Sequence, residues 1–164
     1  MIILGIDPGI ARVGYGIIAY DGTRLRPRAY GCIETPAGMP IDQRLLQIDI
    51  QMEQLIETYE PQEIAFEELF FYQNKTTGIM VAQARGVEVL SGVRKGLGLY
   101  EYTPSMIKQS ITGYGRATKR QMQESIRMLL HLKEIPQPDD AADGLAVAVC
   151  HAFAQRFKEQ HRMK

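Results

Sequence analysis

Five acids in this chain sit where an acid needs a reason. Asp7 closes the apolar run IILGID, Glu67 lies within EIAFEELF, and Asp139, Asp140 and Asp143 open DDAADGLAVAVCHAF. A carboxylate in an apolar element is costly unless it is paired, hydrogen-bonded or bound to a cation. Each acid has a plain structural explanation. Asp7 can bond the amides of the Pro8-Gly9 turn, and Glu67 can pair with an arginine. Asp139 and Asp140, just after Pro138, can cap a helix and complement its dipole. Those explanations leave the conjunction unaddressed. Carboxylates drawn from two strands and one helix would repel one another if they converged, and hard divalent cations relieve that repulsion. Two such ions about 3.5–4 Å apart form the clamp used for phosphodiester displacement.

The two neighbouring aspartates pose a choice. Asp139 and Asp140 both lie one helical turn before Asp143, so spacing alone places either on its face. Capping chemistry separates them: Asp139 follows Pro138 and is expected at the helix entrance. Asp140 then falls inside the first turn, free to reach a metal. His151 lies about three turns further on, roughly 16 Å by helical rise, and reads as a satisfied core or interface histidine.

The elements that must position these acids are legible as apolar patterns. Strands are expected at 2–7, 13–20 and 25–35, joined by short turns that suit antiparallel hairpins, with Asp21-Gly22 a strong turn signal. Leu45, Ile48, Met52, Leu55 and Ile56 recur at helical spacing across 41–59. A strand at 63–70, a helix at 76–95, a short strand at 99–104 and helices at 104–111 and 119–132 follow. The segment 139–157 closes the chain as a helix apolar nearly all round, the mark of a buried one. Alternation from Ile64 puts Phe66 on one face of its strand and Ala65 with Glu67 on the other. Antiparallel strands followed by strand–helix units predict a mixed α/β sheet with helices on its faces.

Composition narrows the classes. The 164 residues, 45% hydrophobic and 23% charged, fit one globular domain spanning 1–164. Nineteen basic residues balance nineteen acidic ones, which argues against a whole-surface polycation. Cys32 and Cys150 form no CxxC and no Cys/His cluster, so neither a zinc site nor a disulfide framework is expected. With no signal-like N-terminus and no apolar stretch of spanning length, a soluble cytoplasmic protein is expected. Charge is nonetheless uneven. Between 53 and 68 there are six acids and no base, which reads as a solvated face. Between 104 and 133, Lys108, Arg116, Lys119, Arg120, Arg127 and Lys133 face Glu124 alone. There Gly113 and Gly115 could bring backbone amides close to phosphates.

GIDPG, AFEELFF, AQARG and PDDAADGLAVAVCHAF, in that order over nearly the whole chain, resemble the RuvC family of Holliday-junction resolvases. The resemblance implies a ribonuclease H-like fold with a mixed five-stranded sheet and helices on both faces. It implies a homodimer that cuts four-way DNA junctions with Mg²⁺ or Mn²⁺ during recombination and repair, with two ions per site. By position, the family's catalytic and metal-binding acids fall on Asp7, Glu67, Asp140 and Asp143. Its DNA-binding lysines fall on Lys108 and Lys119, and the aromatic that contacts junction bases on Phe70. Because Phe70, Phe71 and Tyr72 exceed what one buried face absorbs, one of them is expected to face DNA. The branch-migration proteins RuvA and RuvB are the implied partners. Gly144 departs from the family's usual Ala; helix propensity alone puts its cost at about 1 kcal/mol, with no change of chemistry expected. The dimer interface is expected on 76–95, through Met80, Val81, Ala84, Val87 and Val89, unless these are buried within the protomer. Three other readings stand beside this one: a sugar-kinase-type phosphotransferase, a catalytically silent nucleic-acid-binding domain, and a ribonuclease H-like nuclease acting on RNA or hybrids.

Overall fold

The computed structural model describes residues 1–70 and 75–164. Strands β1 (Ile2–Asp7), β2 (Arg12–Tyr20) and β3 (Leu25–Glu34) form an antiparallel meander, followed by helix α1 (Ile41–Tyr59). Then come β4 (Glu63–Glu67), α2 (Lys75–Arg94), β5 (Gly98–Tyr102), α3 (Pro104–Thr112), α4 (Lys119–Leu129) and α5 (Asp139–Phe153). The sheet is five-stranded in the order β3-β2-β1-β4-β5, with β4 and β5 parallel to β1. Helices cover both faces, so the expected ribonuclease H-like architecture is present. One core packs α3, α4 and α5 against Ile3, Ile18 and Ala65; the other packs α1 and α2 against Leu4, Ile6, Ile17 and Phe66. Among the described residues, no helix is long and apolar enough to cross a membrane.

Helix α5 approaches β1 and β2 backbone to backbone. A Cβ at Gly5 would stand 2.3 Å from the Gly144 carbonyl oxygen, and one at Gly16 would stand 2.4 Å from the Leu145 backbone. The approach is reciprocal, because a Cβ at Gly144 would lie 2.5 Å from the Tyr15 carbonyl carbon. Gly144 therefore does more than lower helix propensity. It lets α5 sit closer to β2 than an alanine at that position allows.

Three other expectations are corrected. Helix α5 stops at Phe153, and a 3₁₀ turn (Gln155–His161) replaces the expected continuation to 157. The turn brings Gln155 and Lys158 onto Glu63, whose carboxylate also meets His151 Nε2 at 2.7 Å. The second ring nitrogen of His151, Nδ1, is 2.7 Å from the Tyr102 hydroxyl. His151 is thus the satisfied core histidine, while Glu63, from the supposedly solvated acidic run, is buried. Burial opposes the Glu63 charge, but hydrogen bonds from Lys158 and His151 outweigh it and hold its pKa below the ordinary value. On α2, Ala84 is buried and Met80, Val81, Val87 and Val89 are half-buried against the core, so the protomer itself takes up much of the apolar surface expected to face a partner.

The glycine contacts make a stability prediction. Gly16→Ala should fold with a lower melting temperature, overpacking costing about 1–3 kcal/mol. A thermal melt equal to wild type would show that α5 can retreat freely.

Candidate active site

Four of the five acids meet at one end of the sheet. Parallel pairing aligns Ile6 of β1 with Phe66 of β4, so the next residues, Asp7 and Glu67, come level at the strand ends. Antiparallel pairing sets Asp7 opposite Gly14, and Gly14 lies under the start of α5, where a Cβ would stand 2.0 Å from the Asp140 carbonyl oxygen. Close packing therefore delivers Asp140 and Asp143 to Asp7. One carboxylate oxygen from each of these three aspartates lies within 4.8 Å of the other two. Glu67 joins Asp7 and Asp143 in lining a cavity of about 230 Å³.

Two capped helices supply the opposite wall of that cavity. Thr103 caps α3, its hydroxyl accepting from the Met106 amide at 3.2 Å, with Pro104 in the first turn. Thr118 and Gln121 form a reciprocal capping box at the start of α4. Lys108 on α3 and Lys119 on α4 both line the cavity, with Ile107 and Met122 as its apolar floor. Lys119 Nζ lies 3.3 Å from Asp143 and 3.6 Å from Asp139. The remaining acid resolves differently from the capping argument. Pro138 is the cap residue, Asp139 is the first helical residue, and among the described residues no side chain caps the helix. Asp139 is exposed and outside the aspartate cluster.

Crowded like charges leave a mark on protonation. Burial first, then the charges of Glu67, Asp143 and Asp140, push Asp7 up to about 8. Burial and Asp143 push Glu67 up to about 7, against the opposing pull of Lys108 and Lys119. Asp143 is raised mainly by burial, with Lys119 opposing. Burial works against the Lys119 charge, yet Asp143 and Asp139 outweigh it and raise its pKa. These donors are all oxygens, clustered and short of positive charge, which suits a hard divalent cation.

Phe70 lies just beyond β4 and is 47% exposed, so it is not a core residue. Its neighbours Phe71 and Tyr72 fall outside the described residues. Two groups escaped the sequence reading. Glu88 on α2 is fully buried, and among the described residues neither of its carboxylate oxygens has a hydrogen-bond partner. Burial and the Asp7 charge push it up to about 8; the nearby Gly9 amide favours the ionised form but closes no hydrogen bond. The available signal was an acid flanked by valines in GVEVL. Arg12 is the other group, with its guanidinium 3.8 Å from Asp140 and 3.5 Å from Glu34. Its signal was period-two alternation, which puts Arg12 on the Gly14 and Gly16 face of β2.

Residues 3–151 match the family described as crossover junction endodeoxyribonuclease RuvC. The chain belongs to the RuvC family. The crossover junction endodeoxyribonuclease RuvC of Finegoldia magna is 52% identical over the full length of both chains. That of Brevibacillus brevis is also 52% identical, over 96% of this chain and 95% of its own. The Thermus thermophilus RuvC solved in complex with a Holliday junction substrate superposes with a TM-score of 0.92. It is 32% identical, covering 99% of this chain and 98% of that one. The yeast mitochondrial Holliday junction resolvase Ydc2, 14% identical with a TM-score of 0.63, shares the fold. The family's sheet and α5 are therefore the elements that carry the acid cluster.

The raised acids set a pH dependence. Between the unfolded Asp value of 3.8 and about 8, the ion-free folded protein holds a proton on Asp7 that the unfolded chain releases. Stability contributed by that proton is full below the unfolded value and is lost as pH rises towards 8. Melting in EDTA from pH 4 to 8 should show a shallower decline for Asp7→Asn than for wild type. Parallel wild-type and variant profiles would mean that Asp7 is ionised without a cation.

Proposed function

We propose that this protein is the endonuclease that resolves four-way DNA junctions by paired, metal-dependent phosphodiester hydrolysis. The observation that carries the proposal is the cluster of Asp7, Asp140 and Asp143 oxygens within 4.8 Å of one another, in a RuvC-family chain. The relative solved on a Holliday junction supports the choice of substrate.

In this reading Asp7, Glu67, Asp140 and Asp143 hold the divalent ions, Mg²⁺ in the cell with Mn²⁺ as a substitute, two per site. When bound, such ions supply the positive charge that activates a water and stabilises the leaving oxygen. The chain's own residues do the rest. Asp7 sits on the central strand, where pairing on both sides fixes its carboxylate better than a loop would. Lys119 and Lys108 meet backbone phosphates from the α3–α4 wall, giving affinity without sequence preference. Phe70, exposed beyond the end of β4, stacks on junction bases, a contact worth about 1–3 kcal/mol per base.

Paired cutting needs two equivalent sites, which a two-fold dimer provides. The outer side of α2 supplies a surface for a second copy, because Ile79, Leu90 and Val93 are 61%, 45% and 56% exposed. Among the described residues, nothing lies within 4 Å of a Cβ placed at Gly86 between them. RuvA and RuvB are the partners this reading implies, and the cytoplasm its compartment.

Cleavage of a four-way junction, the matching duplex and an RNA/DNA hybrid tests the substrate; equal cutting of all three would overturn it. Within the site, Asp140→Asn should abolish cleavage at unchanged melting temperature, whereas Asp139→Asn should stay active. The reverse pattern would assign the ligand pair to Asp139 and Asp143. For the assembly, Leu90→Asp should sediment as a folded monomer and lose coordinated cutting of opposed strands. A variant that still sediments as a dimer would remove α2 from the interface.

A further inference from the structure

The two lysines of the cavity stand on one side of the acid cluster only. On the other side, at the first residue of β2, stands Arg12. Its backbone is fixed. Arg12 pairs with Glu34 in the β2–β3 ladder, and a Cβ at Gly9 would stand 2.0 Å from the Arg12 carbonyl oxygen. The Thr35 amide donates to the Ala11 carbonyl at 3.0 Å. Its head is held loosely. The guanidinium lies 3.5 Å from Glu34 and 3.8 Å from Asp140, beyond hydrogen-bonding distance, and the side chain is 55% exposed. Neither contact stabilises the fold appreciably at that distance and exposure. A fixed backbone carrying a loosely paired planar fork is suited to bidentate recognition of an incoming anion.

We infer that Arg12 is a phosphate-binding residue on the β2 side of the site, released to the cleaved strand when Asp140 turns to a cation. This inference rests on the function proposed above. In the ion-free protein Arg12 partly neutralises Asp140 and so competes with metal. Once Asp140 is committed to an ion, the guanidinium keeps only the exposed Glu34 carboxylate at 3.5 Å and exchanges Asp140 for a backbone phosphate. The strand then lies between Arg12 on one side and Lys108 and Lys119 on the other.

The inference predicts opposite changes in two equilibria, which damage to the site would not produce. Mn²⁺ binding to DNA-free Arg12→Ala, measured by calorimetry, should be about two- to fivefold tighter than wild type, the scale of a half-exposed ion pair. Junction binding by the same variant, measured in Ca²⁺ across a salt series, should weaken for every sequence. Its salt slope should fall by about one unit. Arg12→Lys should keep the slope, since it keeps the charge. An unchanged slope in Arg12→Ala would overturn the phosphate contact, and weaker Mn²⁺ binding would make Arg12 a support for Asp140. If Arg12→Ala melts below the assay temperature, Arg12→Gln carries the same two comparisons. Wild-type protein with no preference for four-way junctions would overturn the proposed function alone, and the slope on duplex DNA would still decide Arg12.

Discussion

Everything at the acidic end depends on how closely one helix lies on two strands. Helix α5 meets β1 and β2 through Gly5, Gly14, Gly16 and Gly144, where a Cβ at any of the four would stand within 2.5 Å of the opposing backbone. That contact is favourable as packing and unfavourable as electrostatics, because it drives Asp140 and Asp143 against Asp7. The apolar burial along α5, from Ala141 to Ala152, offsets that repulsion. The protein thus uses its most hydrophobic interface to hold its least comfortable charges in place. Raised protonation of Asp7 and Glu67 is the ion-free molecule's response to that compulsion.

The surrounding cations divide by purpose. Lys119 touches the cluster directly through Asp143, and Lys108 moderates Glu67 across the cavity. Capping fixes where α3 and α4 begin, so both lysines are presented from short helices with defined starts. Elsewhere charges pair with one another away from the acids: Arg85 with Glu101 at 2.7 Å and Lys95 with Glu57 at 2.8 Å. The net neutrality of the chain conceals this segregation.

Most of the architecture was legible because its elements are apolar runs with clear periods. The hairpins, the α1 spacing and the all-round apolarity of α5 each signalled themselves locally. The site was legible in kind, since acids misplaced in apolar elements need an explanation that local structure does not give. What sequence could not supply was distance. Asp139 and Asp140 are equivalent by spacing, and the separation came from Pro138 serving as the cap residue, which left Asp139 turned to Lys119. Gly144 read as a weak helix residue because its contact with Tyr15 is non-local. Helix α2 is apolar on both sides, so periodicity could not say that Ala84 faces inward and Leu90 outward. Glu63 looked solvated within an acidic run until the 3₁₀ turn folded back onto it.

The Glu63–His151–Tyr102 arrangement sits at the other end of the same two rods that carry the acids. Strand β4 bears Glu63 at its start and Glu67 at its end, about 13 Å apart by strand rise. Helix α5 bears Asp140 near its start and His151 near its end. The hydrogen bond between Glu63 and His151 therefore acts as a gauge block, setting how far the helix can slide along the strand. A rotation of α5 about that remote pivot would be magnified over the helix's length before it reached Asp143. The alignment of Glu67 with Asp143 is consequently a property of the whole beam, held near the acids by the glycine contacts and at the far end by a fully buried histidine.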